Sequence, residues 1–254
     1  MTRYIAGPLL AGFLTAGLLA GCGGGNSGEA AAPPAASAPA SDTAAASPSA
    51  SPLPTASDEL ATVLAALKQT TSEGFAFTFG NPTYSIAGVY DPRNGGMRLG
   101  QVPEEITVIG TDVWARVEPT VSLHYSVLKF APGQHEIGVA LPSALLSFLA
   151  TMPHCMGPAV GASCTGELDL TKVGPAVPPA AAKLAQVLVA MAPAAVARVP
   201  VTVRLDAAGR LASVKVVMDV DAGPDEVELT ITGPSSASVA KPAGRIVEAP
   251  MDAY

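Results

Sequence analysis

Hydrophobic and polar positions divide the chain into an apolar opening, a stretch without period, and a long patterned remainder. The patterned part begins at Ser57, which can cap a helix whose first turn carries Asp58 and Glu59 at the positive end of its dipole. Leu60, Val63, Leu64 and Leu67 recur at i, i+3, i+4 and i+7, one apolar stripe on a helix that Gly74 ends. At Phe75 the period becomes two: Phe75, Phe77 and Phe79 alternate with Ala76 and Thr78 until Asn81-Pro82 breaks the run. Residues 84–90 read as a second strand, and Asp91-Pro92-Arg93-Asn94-Gly95-Gly96 as a turn. Short strands follow near residues 97–100, 105–109, 113–117 and 123–130, separated by Gly or Pro turns.

Two helical stretches interrupt this meander. Residues 141–152 carry Leu145, Leu146, Phe148 and Leu149, which make the helix apolar on most sides. Residues 166–170 form a short extended piece, and residues 178–192 a second apolar helix with Leu184, Val187, Leu188 and Met191. Strands resume at 199–205 and 211–220, joined by the hairpin turn Asp206-Ala207-Ala208-Gly209. Residues 222–224 turn the chain into a strand at 227–232. Residues 238–247 supply a last edge strand whose pairing Pro242 limits. The order predicts an α+β fold, a curved antiparallel β-sheet with helices on one face.

The apolar opening concerns the chain's address. Arg3 is the only charge before Glu29, and an apolar run from Ile5 to Leu19 leads to Ala20-Gly21-Cys22. A positive start, a short apolar stretch and a small-residue exit make a secretory signal; the run is too short, and broken by Pro8, to span a membrane. Leu19-Ala20-Gly21-Cys22 resembles the lipobox of bacterial lipoproteins, which implies cleavage between Gly21 and Cys22 and diacylglycerol on the Cys22 sulfur. An ordinary signal peptide with a chance cysteine is the alternative. The segment that follows, up to Ala56, is dominated by Ala, Pro and Ser and cannot bury enough apolar surface to order itself. As a flexible coil it would average roughly 30 Å end to end, enough to hold a domain clear of lipid. The expected organisation is a signal peptide at 1–21, a lipidated tether at 22–56 and a domain at 57–254.

Charge and cysteine count narrow the partners. The net charge is −7, and almost all of it falls on the patterned part, since Arg3 faces only Glu29 and Asp42 upstream. No basic patch stands out, which argues against nucleic acid and against direct adhesion to anionic headgroups. Hydrophobic residues make up 49% and charged residues 14%, which fits a large core or an apolar cavity. With Cys22 assigned to lipid, Cys155 and Cys164 form an even pair in an exported chain and point to a disulfide. The alternative adds His154 to make a metal site, but three ligands at this spacing match zinc patterns poorly.

Some segments carry a family resemblance. Gly166-x-x-Asp169-x-Thr171-Lys172 precedes the second internal helix. The hairpin Val201-x-Val203-x-Leu205-Asp206-x-x-Gly209-Arg210-Leu211 is followed by alternating Val214, Val216 and Met218, and Phe75-x-Phe77 follows an amphipathic first helix. Together these resemble the LppX/LprAFG-type lipoproteins of actinobacteria, within the LolA-like superfamily, over about residues 58–250. The chain departs from them in its single tryptophan, Trp114, which lies outside that hairpin, and in the Cys155–Cys164 loop. The resemblance implies a half-barrel whose concave face, partly closed by helices, holds acyl chains. On that basis Phe75, Phe77, Phe79, Leu145, Phe148, Leu149, Leu184, Leu188 and Met191 are candidates to line a cavity; the same residues could instead fill a dry core.

Catalytic motifs are scarce. Ser126-Val127-Leu128-Lys129 matches the Ser-x-x-Lys pattern of penicillin-binding enzymes, but the companion motifs are absent and it falls in a predicted strand. His124, His135 and His154 stand apart from any nucleophile elbow, zinc motif or phosphate loop. Asp219, Asp221, Asp225, Glu226 and Glu228 gather acid around one hairpin without the ordered spacing of a calcium loop. The expectation is a non-enzymatic, monomeric lipoprotein without cofactor or metal, anchored outside the cell membrane through Cys22. It would bind, carry or sense a lipid or glycolipid. A cell-surface interaction or regulatory protein with a filled core is the alternative.

Overall fold

Helix α1 (Ala56–Glu73) turns Val63 and Leu67 of its expected stripe into the core, with Ala66 beside them, while Leu60 and Leu64 are half-buried. The computed structural model describes residues 56–101, 104–132, 137–157, 163–174, 177–219 and 224–249. The signal, lipobox and tether, like His135, lie outside the described residues. After α1 the chain forms β1 (Phe75–Asn81), β2 (Tyr84–Asp91), β3 (Gly96–Gln101), β4 (Glu104–Ile109), β5 (Asp112–Glu118) and β6 (Val121–Ser126). Helix α2 (Ile137–Leu149), β7 (Ser163–Leu168), α3 (Pro179–Met191) and the one-turn α4 (Pro193–Val196) come next. Strands β8 (Val199–Leu205), β9 (Leu211–Asp219), β10 (Pro224–Pro234) and β11 (Arg245–Glu248) complete the order.

All these strands belong to one unclosed sheet, in the order β11-β6-β5-β4-β3-β2-β1-β10-β9-β8-β7. Two antiparallel meanders, β1–β6 and β7–β10, join where β1 pairs with β10. The α+β, curved-sheet expectation therefore holds, with one exception to its antiparallel character. Strand β11 runs parallel to β6, Arg245 opposite Val121 and Glu248 opposite His124. Of the edge strand expected at 238–247, only its last residues pair, and they do so far from β10.

The core lies between the sheet and α1, α2 and α3. Phe75, Phe77 and Phe79 point inward from β1, and Val199, Val201, Val203 and Leu205 from β8. Phe77 sits opposite Gly88 of β2. A Cβ at Gly88 would stand 2.5 Å from the Phe77 Cζ and 2.9 Å from the Arg98 carbonyl oxygen, so only glycine lets that ring lie flat on the sheet.

Element ends have local causes. Ala192, which precedes Pro193, is extended with φ −145° and separates α3 from α4, because proline disfavours helical geometry in the residue before it. Pro179 opens α3, where a missing N–H costs nothing. Strand β6 ends earlier than its apolar pattern suggests. The Val127 amide donates to the Thr111 carbonyl at 2.8 Å, and a 3-10 turn over Val127–Lys129 carries the chain away, leaving Leu128 exposed. The Asp169 carboxylate accepts from the Thr171 amide at 3.1 Å, capping a second 3-10 turn on the way to α3.

Cys155 and Cys164 form a disulfide, both fully buried, with Cα atoms 5.8 Å apart. It ties the segment after α2 to β7. In the chain-entropy model a loop this short contributes about 2–3 kcal/mol. Gly166 allows the same segment to approach: a Cβ there would meet the His154 carbonyl oxygen at 2.6 Å.

Candidate ligand-binding cleft

Helix α2 has two unlike faces. Leu145, Phe148 and Leu149 are buried in the core, whereas Ser143, Ala144, Leu146, Ser147 and Ala150 line a cleft of about 480 Å³. The other walls come from Leu67 and Thr71 of α1, Tyr90 of β2, Asn94 and Gly95 in the turn after it, Val108 of β4, and Val177 to Ala181 at the start of α3. Five elements meet here with mostly small side chains and leave a space that large side chains fill elsewhere. The volume falls in the ordinary range of small-molecule sites.

None of the described residues that line this cleft is charged. Its hydroxyls are also quiet. Ser143 donates to the Ala140 carbonyl at 3.0 Å, Ser147 to Ser143 at 3.3 Å, Thr151 to Phe148 at 2.8 Å and Thr71 to Leu67 at 2.8 Å. Each hydroxyl is spent on its own helix and presents carbon to the cleft. The Asn94 amide is occupied as well, donating to the Val239 carbonyl at 2.8 Å and accepting from the Gly96 amide at 2.9 Å. Burial, with Asp91 next to it, holds the Tyr90 phenol above its usual pKa of 10, so it stays neutral. The cleft can therefore take an uncharged aliphatic group, and it offers no pair of groups for acid–base or nucleophilic work.

A second, smaller cleft of about 220 Å³ lies at the start of β1, between Thr70, Glu73, Phe75, Leu211 and Gly233. Its rim carries the Asp206–Arg210 ion pair at 2.9 Å. A backbone hydrogen bond from Arg210 outweighs burial and holds the Asp206 carboxyl below its usual range.

The nine cavity candidates fall as follows. Phe75, Phe77, Phe79, Leu145, Phe148, Leu149, Leu184 and Leu188 are all buried members of the core. Met191, in the last turn of α3, is 40% exposed. Only Phe75 borders either cleft, the smaller one. The residues that do line the larger cleft are mostly Ala, Ser, Thr and Gly, and a search for large apolar side chains passes over them. A stripe of small residues along α2 and just past its end, at 143, 144, 147 and 150, was the signal available.

The remaining candidates are scattered. Ser126 closes β6 and Lys129 is exposed at the end of the following turn. His154 is exposed, and Glu226 pairs with Lys215 at 2.6 Å. Asp221 lies outside the described residues. Among the described residues no three His, Cys, Asp or Glu side chains are placed to hold a metal ion, and no helix is long and apolar enough to cross a membrane.

No protein-family model matches the chain. No curated protein matches it either. The chain is similar in fold to solved structures. Among them is the Mycobacterium tuberculosis lipoprotein LppX, 12% identical, with the match covering 73% of this chain and 100% of that one at a TM-score of 0.44. A likeness of that size carries no functional argument, and the α+β assignment rests on the strand order of this chain.

Proposed function

We propose that the protein is a lipoprotein anchored outside the cell membrane through diacylglycerol on Cys22, and that it binds, carries or senses a lipid or glycolipid without catalysing a reaction. The observation that carries this reading is the cleft of about 480 Å³, uncharged among the described residues, whose serine and threonine hydroxyls each donate to a nearby backbone carbonyl of their own segment. An acyl chain entering it leaves water, and each buried methylene contributes about 0.8 kcal/mol. The ligand wall in this proposal is Leu67, Val108, Ala144, Leu146, Ala180 and Ala181 rather than the eight large apolar candidates buried in the core. The sequence of the first 56 residues supports the location, since a lipid anchor and a tether keep the cleft within reach of a donor membrane. The test is native mass spectrometry, with organic extraction, of the full chain exported in an actinobacterial host. A stoichiometric lipid is expected. A ligand-free mass that also fails to take up acyl chains would refute the reading.

A second reading has its own observation. Eight of the nine candidates pack among themselves and the sheet with little exposure, as a filled core would. On that reading the chain is a cell-surface interaction or regulatory protein, and the cleft is a docking groove or idle. Absence of lipid in the same experiment would move it to the front.

A further inference from the structure

The chain from β10 to β11 passes across the face of the sheet opposite the core. Those strands are seven inter-strand spacings apart in the sheet, about 34 Å. Pro234 to Arg245 can reach roughly 36–40 Å, so the strap must run almost fully extended. It is pinned midway at Val239, whose amide donates to the Asp91 carboxylate at 2.9 Å. Val239 and Trp114 are both buried, yet neither belongs to the main core, and Lys241 of the strap lies 5.9 Å from the Trp114 ring centre. Beneath the strap the cover is imperfect. Trp114 Nε1, Arg116 Nε and Ser122 Oγ, neighbours on β5 and β6, are buried without a hydrogen-bond partner among the described residues. Groups of that kind regain water when a cover lifts, which makes this interface weaker than the core on the other face.

At the strap's far end sits His124 of β6. Its Nε2 is 2.8 Å from Asp112 Oδ1 on β5, and its Nδ1 is 2.7 Å from Glu248 Oε1 on β11. Its ring stacks on Trp114, with centres 5.4 Å apart. The Ala249 amide donates to the His124 carbonyl at 2.9 Å. A neutral imidazole has one N–H and one lone pair, so it can satisfy only one of two carboxylates and must repel the other. Two carboxylates on the two ring nitrogens require both protons.

We propose that His124 is a protonation-controlled clasp, which in its charged form ties β11 and the strap to the β5–β6 edge and on losing a proton releases them. The charged groups on the ring are Asp112 from β5 and Glu248 from β11, and Lys241 of the strap lies 5.9 Å from the Trp114 ring on which the imidazole stacks. Burial pulls the His124 pKa down, but the hydrogen bonds that Asp112 and Glu248 accept from the ring outweigh it and leave the value raised above the usual 6.5. A raised value means the clasp is complete below pH 6.5 and is lost as pH climbs through the folded-state pKa. Opening would uncover the β6 edge and Trp114.

Hydrogen exchange of the full chain at the Ala249 amide, corrected for intrinsic pH dependence, tests this. Protection should fall roughly fivefold from about pH 6 to pH 9, the scale of two partly exposed charge pairs. Both His124→Gln and Glu248→Gln should flatten that dependence; Glu248 is 73% exposed, so its substitution leaves folding intact even if the histidine variant fails. The emission of Trp114, the only tryptophan, should follow the same titration in the wild type. Protection that is equal at both pH values, or a Glu248→Gln variant that keeps the wild-type dependence, would overturn the clasp.

Discussion

The two faces of α2 are built from the same helix and do opposite things. On one, Leu145, Phe148 and Leu149 meet α3 and the sheet and leave no room. On the other, Ser143, Ala144, Ser147 and Ala150 stop short of α1, β4 and α3 and leave a cleft. The difference lies in volume rather than polarity, since the serines have already satisfied their hydroxyls within the helix. Stability should reside in the first face and binding in the second, and substitutions can pull the two apart.

The largest effect is expected on the packed side. Phe148→Ala should destabilise the fold by about 3–5 kcal/mol in denaturant unfolding, through lost burial and the cavity left behind. Any variant that stays folded should still bind ligand. Gly88→Val comes next. Its Cβ has nowhere to go between the Phe77 ring and the Arg98 carbonyl, and a loss of about 1–3 kcal/mol or more is expected from overpacking. Replacing both Cys155 and Cys164 by serine should cost about 2–3 kcal/mol, with the loss appearing first as faster exchange in β7. Ser147→Phe should be the mildest for stability, within about 1 kcal/mol, because the cleft has space for the ring, yet it should remove ligand. Equal stability losses for Phe148→Ala and Ser147→Phe would erase the contrast between the faces.

A smaller effect concerns acid. The Asp91 carboxylate accepts hydrogen bonds from the Arg93 side chain and the Val239 amide, and these hold its pKa well below the ordinary 3.8. A depressed folded-state pKa contributes stability that is present above the unfolded value and lost as pH falls through the folded one. Asp91→Asn should therefore flatten the pH dependence of unfolding below about pH 4.

Much of the fold was legible in particular residues. Val63 and Leu67 gave a helical stripe, Phe75, Phe77 and Phe79 an alternating strand, and Asp206 to Gly209 a hairpin turn, because each pattern is local and periodic. The pairing of β11 with β6 was not. Nothing in residues 235–248 records which distant edge they reach, and parallel pairing across the sheet depends on the whole strand order. The larger cleft was hidden for a different reason. Reading by large apolar side chains finds what fills space, and Ala144, Ser147 and Ala181 mark where it is left open. The disulfide was readable from cysteine parity, while the close approaches at Gly88 and Gly166 needed the partner strand and segment to be placed.

Binding in the cleft is the central claim, and native mass spectrometry of the full chain beside its Ser147→Phe and Phe148→Ala variants tests it most directly. The account predicts a bound lipid in the wild type, none in Ser147→Phe at near-native stability, and retained lipid in whatever folded Phe148→Ala can be recovered. Lipid retained at wild-type level in Ser147→Phe would contradict it, and would return the ligand to the large apolar residues between α2, α3 and the sheet.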